Sequence, residues 1–248
     1  MWIVISLIQI FLIFLTTVVF GGMVVVTKFF FGVRNYPYLV KNAWAPCILK
    51  VSGVKIKVNG HENINDNEPC IFVANHQSHF DIPSLISGLS PTLFFIAKKE
   101  LKKVPFLGWA MTSAGLIFID RSNKDKAIES LTEAAKLIKN GKSILSFPEG
   151  TRSKNGEIGS FKRGTFILAK QAEVKIIPIA ISGSYHVNPS NSIRIKSGVV
   201  SINIGKAIGF DAYKDFSPDA IATQIQQQII ELSREQTNQK ELVKNLQF

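Results

Sequence analysis

The heptapeptide Asn75-His76-Gln77-Ser78-His79-Phe80-Asp81 follows directly on the apolar run Cys70-Ile71-Phe72-Val73-Ala74. An imidazole can move a proton near neutral pH, and a nearby carboxylate can fix its tautomer and steady the imidazolium that forms. Residues five apart on a helix point about 140° away from each other, so His76 and Asp81 meet only if the chain turns between them. Three readings of the pair compete: a polar loop with incidental histidines, a metal-dependent hydrolase site begun by His76, His79 and Asp81, and a proton relay. A metal site needs more ligands. The only other histidines are His61 and His186, and no second ligand cluster appears. Ser78 lies two residues from His76, but the chain has no G-x-S-x-G nucleophile elbow.

A second polar block, Phe147-Pro148-Glu149-Gly150-Thr151-Arg152-Ser153, also follows an apolar run. Pro148 stops strand pairing and Gly150 permits a turn with open amides, beside which Arg152 suits a phosphate. The run Gly115-Leu116-Ile117-Phe118-Ile119 ends in Asp120-Arg121, which places another guanidinium at a strand terminus. Lys162 and Arg163 precede Gly164 at an expected helix start, where cations and main-chain amides together attract anions. Each block has a bland alternative in a charged turn, a surface ion pair or a solvated basic face. The last of these is also the reading for Lys98, Lys99, Lys102 and Lys103.

The elements that must position these residues alternate strand with helix. Strands are expected at Val54–Val58, Pro69–Ala74, Leu93–Ala97, Leu116–Ile119, Ser143–Phe147 and Lys175–Ser182, the last bent at Pro178. Residues Ile193–Ile204, split at Ser197-Gly198, read as a hairpin. Helices are expected from Ile82, from Asn123 to Gly141, over Gly164–Ala172, and from Ser217, with a frayed polar tail beyond Gln236. The pattern predicts an α/β fold in which a mostly buried central sheet is flanked by helices.

Residues 1–27 contain no charged side chain, a stretch long enough to cross a bilayer, which takes about 20 apolar residues. It lacks the basic start of a signal peptide, so a retained membrane segment is expected. Residues 37–53 read as a second helix on or in the membrane, interrupted by Pro46. The net charge is +11, and the first 60 residues hold no Asp or Glu. Lysines and arginines just after the apolar segment put that side in the cytoplasm, against anionic headgroups. A basic chain of this kind is expected to meet lipid rather than nucleic acid. Cys47 and Cys70 form no CxxC pair, which fits a reducing compartment. The expected organisation is a membrane-anchoring helical segment at 1–53, an α/β domain at 54–236 and a polar tail at 237–248.

Taken together, the blocks resemble the membrane-bound glycerolipid acyltransferases, most closely the bacterial 1-acyl-sn-glycerol-3-phosphate acyltransferases. The family's Asn-His-x4-Asp motif is matched at Asn75, His76 and Asp81, and its Phe-Pro-Glu-Gly-Thr-Arg-Ser block at every position from Phe147 to Ser153. Two further motifs resemble Gly115–Arg121 and the strand around Ile177-Pro178-Ile179, and the likeness covers roughly residues 50–210. The resemblance implies transfer of an acyl group from acyl-CoA or acyl carrier protein to the sn-2 hydroxyl of lysophosphatidic acid, giving phosphatidic acid. It implies no metal and no cofactor. His76 would be the general base and Asp81 its orienting carboxylate. Glu149, Gly150, Thr151, Arg152, Arg121 and Lys162 would form the substrate site, with the arginines on the phosphate. The expected location is the bacterial inner membrane, with the catalytic domain facing the cytoplasm.

Overall fold

A computed structural model describes residues 2–31, 39–89, 92–120 and 124–245. Strands β1 (Val54–Asn59), β2 (Cys70–Ala74), β3 (Leu93–Lys98), β4 (Ile117–Ile119), β5 (Ser143–Ser146), β6 (Lys175–Ser182) and β7 (Gly198–Ile204) form one sheet. Their order is β1-β7-β6-β2-β5-β3-β4. All neighbours are parallel except β6 and β7. β5 inserts between β2 and β3, and the chain then crosses β2 to lay down β6 on its far side.

β2 is covered on both faces, which is why its sequence is an unbroken apolar run rather than an alternating one. Ile71 and Val73 point into one core layer, while Cys70, Phe72 and Ala74 point into the other. The helices are α1 (Trp2–Phe31), α2 (Ala45–Val51), α3 (Asp81–Gly88), α4 (Leu107–Ser113), α5 (Lys124–Lys139), α6 (Gly164–Ala172), α7 (Ser184–Val187) and α8 (Pro218–Asn245). The first layer packs α5, α6 and α8 on the sheet through Leu131, Ile138, Phe166, Leu168, Ile225 and Ile229. The second packs α2 and α3 through Ile48, Leu49 and Leu85. The protein is thus α/β, a central sheet flanked by helices.

Three local expectations change. The hairpin over Ile193–Ile204 is a single strand, β7, preceded by a non-strand segment. β7 pairs with β1 on one edge and β6 on the other, so no edge is left for a hairpin partner. Pro46 does not interrupt its helix: a π-helical turn over Val40–Trp44 leads into α2, and Pro46 sits in the first turn of α2, where its missing N–H costs no bond. The last helix runs past Gln236 to Asn245, so this stretch of tail is helical rather than frayed.

α1 is the one helix among the described residues that is long and apolar enough to cross a membrane, and little of it is buried. It lies along the α/β domain. Ser6 Oγ accepts the Ile195 N–H at 3.1 Å, and the Trp44 indole donates to Thr17 Oγ1 at 3.3 Å. A Cβ on Gly21 would stand 3.3 Å from the Ala110 Cβ on α4, and Val24 is buried in the first core layer. From Ser6 to Val24 the helix rises about 27 Å.

Candidate active site

β2 and β5 are neighbours in parallel register, with Ile71 opposite Ile144 and Val73 opposite Ser146. Both blocks of polar residues therefore leave the sheet side by side at its carboxyl edge, where open α/β sheets bind ligands. Asn75 extends the sheet by one residue with its side chain. Its amide donates to the Ile181 carbonyl at 2.9 Å and accepts the Ile181 N–H at 2.7 Å, copying a main-chain pair beyond the end of β2.

The chain then turns tightly enough to bring His76 and Asp81 together. His76 Nδ1 lies 2.8 Å from Asp81 Oδ2. The same oxygen accepts the Gln77 N–H at 2.7 Å and the Ser78 N–H at 2.8 Å. Asp81 is 0% exposed and opens α3, so the helix N-terminus adds a favourable field to the three donors. A carboxylate acceptor holds the proton on Nδ1 and leaves Nε2 as the nitrogen able to take one. The imidazole stacks on Phe147, with ring centroids 4.1 Å apart and planes 17° from parallel. Its side chain is 16% exposed, open enough to be reached and too confined to swing freely.

Glu149 stands where the two loops meet. Its carboxylate accepts the His76 N–H at 2.8 Å and the Gly159 N–H at 3.1 Å. Burial raises the Glu149 carboxyl above the ordinary glutamate range, and those two N–H donors and the His76 charge oppose the rise. Its folded value is thus raised, so stability falls as pH rises from the unfolded carboxyl range through its own. Glu149 therefore braces the His76 backbone from within the block expected to shape the substrate pocket. Ser153 N–H donates to the His76 carbonyl at 2.8 Å, a second tie between the loops.

Gly150 takes φ 74°, a turn conformation that L side chains resist. Thr151 is exposed on that turn and Arg152 is half-buried. Burial pulls the Arg152 guanidinium down and the Asp81 carboxylate pulls it up, and it stays a cation throughout. His79 is exposed, yet desolvation of its ring, then the Arg152 charge and His76, hold its imidazole down, to about 4. Lys162 is exposed, and its N–H binds the Pro148 carbonyl at 3.0 Å. Arg121 lies outside the described residues. Its neighbour Asp120 pairs with Lys99 at 3.0 Å, tying the ends of β3 and β4. Among the described residues no group of three or more His, Cys, Asp or Glu is placed to hold a metal ion.

Sequence reasoning missed the supports. Ser78 is buried and its hydroxyl donates to the Asn188 carbonyl at 2.8 Å, which makes it a brace rather than a nucleophile. The Gln77 amide donates to the Gly156 carbonyl at 2.6 Å. Both residues were in view within the His76 block, but their partners lie 110 and 79 positions away.

A family model described as Acyltransferase matches residues 55–182, and the chain belongs to that acyltransferase family. Within the family it is similar to 1-acyl-sn-glycerol-3-phosphate acyltransferases. The chloroplastic enzyme LPAT1 of Arabidopsis thaliana is 35% identical over 177 residues, 71% of this chain and 49% of that protein. The Saccharomyces cerevisiae enzyme is 36% identical over 187 residues, 74% of this chain and 61% of that one. The chain thus spans about half to three-fifths of the length of these curated relatives. The crystal structure of the 1-acyl-sn-glycerophosphate acyltransferase PlsC from Thermotoga maritima superposes with a TM-score of 0.83 at 26% identity. That match covers 95% of this chain and 96% of that one.

The geometry makes Glu149→Ala diagnostic. The change strips the acceptor from two N–H groups, costing about 1–3 kcal/mol each where they stay unsatisfied. We expect a lower Tm and a lower kcat with little change in acceptor KM. A raised KM at unchanged kcat would instead place Glu149 against substrate.

Proposed function

We propose that the protein transfers a fatty acyl group from a thioester to the sn-2 hydroxyl of lysophosphatidic acid, forming phosphatidic acid. The observation that carries this reading is the 2.8 Å bond from His76 Nδ1 to a fully buried Asp81 carboxylate, in a chain of the acyltransferase family. His76 Nε2 takes the proton of the acceptor hydroxyl as its oxygen attacks the thioester carbonyl carbon, and Asp81 holds the imidazolium that results. The tetrahedral intermediate collapses by breaking the carbon–sulfur bond, and the departing thiolate takes the proton back from His76. The turn after Gly150 is tied to His76 by the Ser153 bond, and because the Gly150 N–H already donates to the Phe147 carbonyl, we assign the oxyanion to the main-chain N–H groups that follow it.

The acceptor's phosphate is assigned to Arg152, a cation that shares the field of Asp81 and His79. Arg121 and Lys162 are weaker claimants on the same anion. The thioester is that of coenzyme A or acyl carrier protein, both soluble, and neither metal nor cofactor has a part in the steps. We assign residues 1–53 to membrane anchoring and 54–236 to acyl transfer, at the inner face of a bacterial cytoplasmic membrane. Because α1 stays against the domain from Ser6 to Val24, it lies in one leaflet rather than crossing the bilayer clear of the protein.

A panel of lysolipid acceptors offered to the detergent-purified protein with one thioester should give product with lysophosphatidic acid foremost. His76→Ala should abolish transfer while lysophosphatidic acid still binds; surviving turnover would refute the base. Asp81→Asn should lower kcat by about 10²–10⁴-fold in a protein that remains folded, the scale of general-base work. Arg152→Ala should raise acceptor KM roughly tenfold or more, the scale of a charge-assisted bond, and an unchanged KM would move the phosphate elsewhere.

A further inference from the structure

The segment from the end of β3 into α4 carries an exposed apolar surface outside the residues placed in the site. Phe106 is 47% exposed and Trp109 58%, and their rings meet edge to face at 5.3 Å. Leu101 and Val104 beside them are 37% and 40% exposed. Lys102 and Lys103, both exposed, lie between Leu101 and Val104 at the end of a 3-10 helix over Lys99–Lys103.

This arrangement is built rather than slack. Phe106 adopts φ 61°, where a bulky residue is rare and strained. The turn is closed by Gly108 N–H on the Val104 carbonyl at 2.7 Å and Ala110 N–H on the Phe106 carbonyl at 2.9 Å. Only glycine fits at 108, because a Cβ there would run into the Lys102 carbonyl. The fold spends backbone strain and a close approach to hold two aromatic rings outward.

The patch continues another apolar surface. α4 packs against α1 where Gly21 faces Ala110, and the α1 residues Met23, Val25, Val26, Phe29 and Phe30 are themselves exposed. Aromatic rings beside apolar side chains, flanked by lysines, match the layering of a bilayer with anionic headgroups.

We propose that the turn from Leu101 to Trp109 is a second membrane-docking element. Phe106 and Trp109 insert below the headgroups and Lys102 and Lys103 meet their phosphates. This rests on the reading that α1 lies in the same leaflet. The turn follows the carboxyl end of β3, the sheet edge that also carries His76, so docking it brings that edge down to the lipid surface.

The test uses the full chain in vesicles of phosphatidylcholine and phosphatidylglycerol, with two single-tryptophan variants. Trp2→Phe/Trp44→Phe leaves Trp109 alone, and Trp44→Phe/Trp109→Phe leaves Trp2 to report on α1. Trp109 should be quenched by brominated acyl chains and shielded from aqueous iodide, to an extent comparable with Trp2. Lipid quenching of Trp2 with iodide quenching of Trp109 overturns the docking turn alone, whereas iodide quenching of both overturns the α1 reading. A Trp109 shielded from iodide but untouched by bromines means a protein covers the patch, and it too overturns the proposal.

Should Trp44→Phe disturb the fold, a nitroxide on Phe106→Cys in a Cys47→Ser chain replaces it. The remaining thiol, Cys70, is buried, and burial pushes it up to about 11, out of reach of the label. That nitroxide should relax faster with oxygen than with an aqueous nickel chelate; the reverse order overturns the proposal.

Discussion

The structure depends above all on the way one short loop wraps the buried carboxyl group of Asp81. Asp81 is fully buried, and burying an ion costs far more than any one hydrogen bond returns. Its Oδ2 is therefore surrounded by His76 Nδ1 and two main-chain N–H groups within 2.8 Å, all from the five residues before it. Because the donors and the acceptor share one short loop, the loop cannot open without orphaning the charge. The proposed catalytic pair and the local fold are the same interaction. Opening α3 at Asp81 rather than a residue later adds the helix N-terminus to the donors.

That loop still needs a fixed place in the molecule, and β5 supplies it. Pairing β2 with β5 delivers Phe147 to the flat of the His76 ring and Glu149 to its backbone. A neutral side chain could accept both N–H groups less strongly, and the two donors come from loops that would otherwise be independent. Burial is the main cause of the raised Glu149 carboxyl, and the Asp81 charge adds a smaller push in the same direction. On the far side of β2, Asn75 fastens the same loop to β6. The histidine is held from three strands.

Much of this was legible in the chain. Unbroken apolar runs such as Cys70–Ala74 announced strands buried on both faces, and the polar blocks after them announced the site, because both signals are local in sequence. What was not legible depended on pairing. Residues 193–197 carry a strand-like pattern, but whether a strand forms there is decided by edges that β1 and β6 already fill on β7. The ties of Glu149 were hidden for the same reason: its partners are His76 and Gly159, one of them 73 positions away. Composition announced the apolar helix, but not that Ser6 and Val24 bind it lengthwise to the domain.

The lengthwise contact changes what the hydrophobic N-terminus can do. A helix that crossed the bilayer would act as a tether, leaving the domain to find the surface by diffusion. One packed against the domain over about 27 Å instead fixes the height and tilt of everything attached to it. If α1 lies in one leaflet as proposed, the carboxyl ends of β2 and β5, where His76 and Arg152 stand, are set at a constant depth relative to the headgroups. A hydroxyl near the glycerol level and a phosphate just above it lie a few ångströms apart, so a fixed depth serves both at once. On the proposed reading the confinement of His76 follows: a base that is 16% exposed need only admit a substrate already aligned by the bilayer.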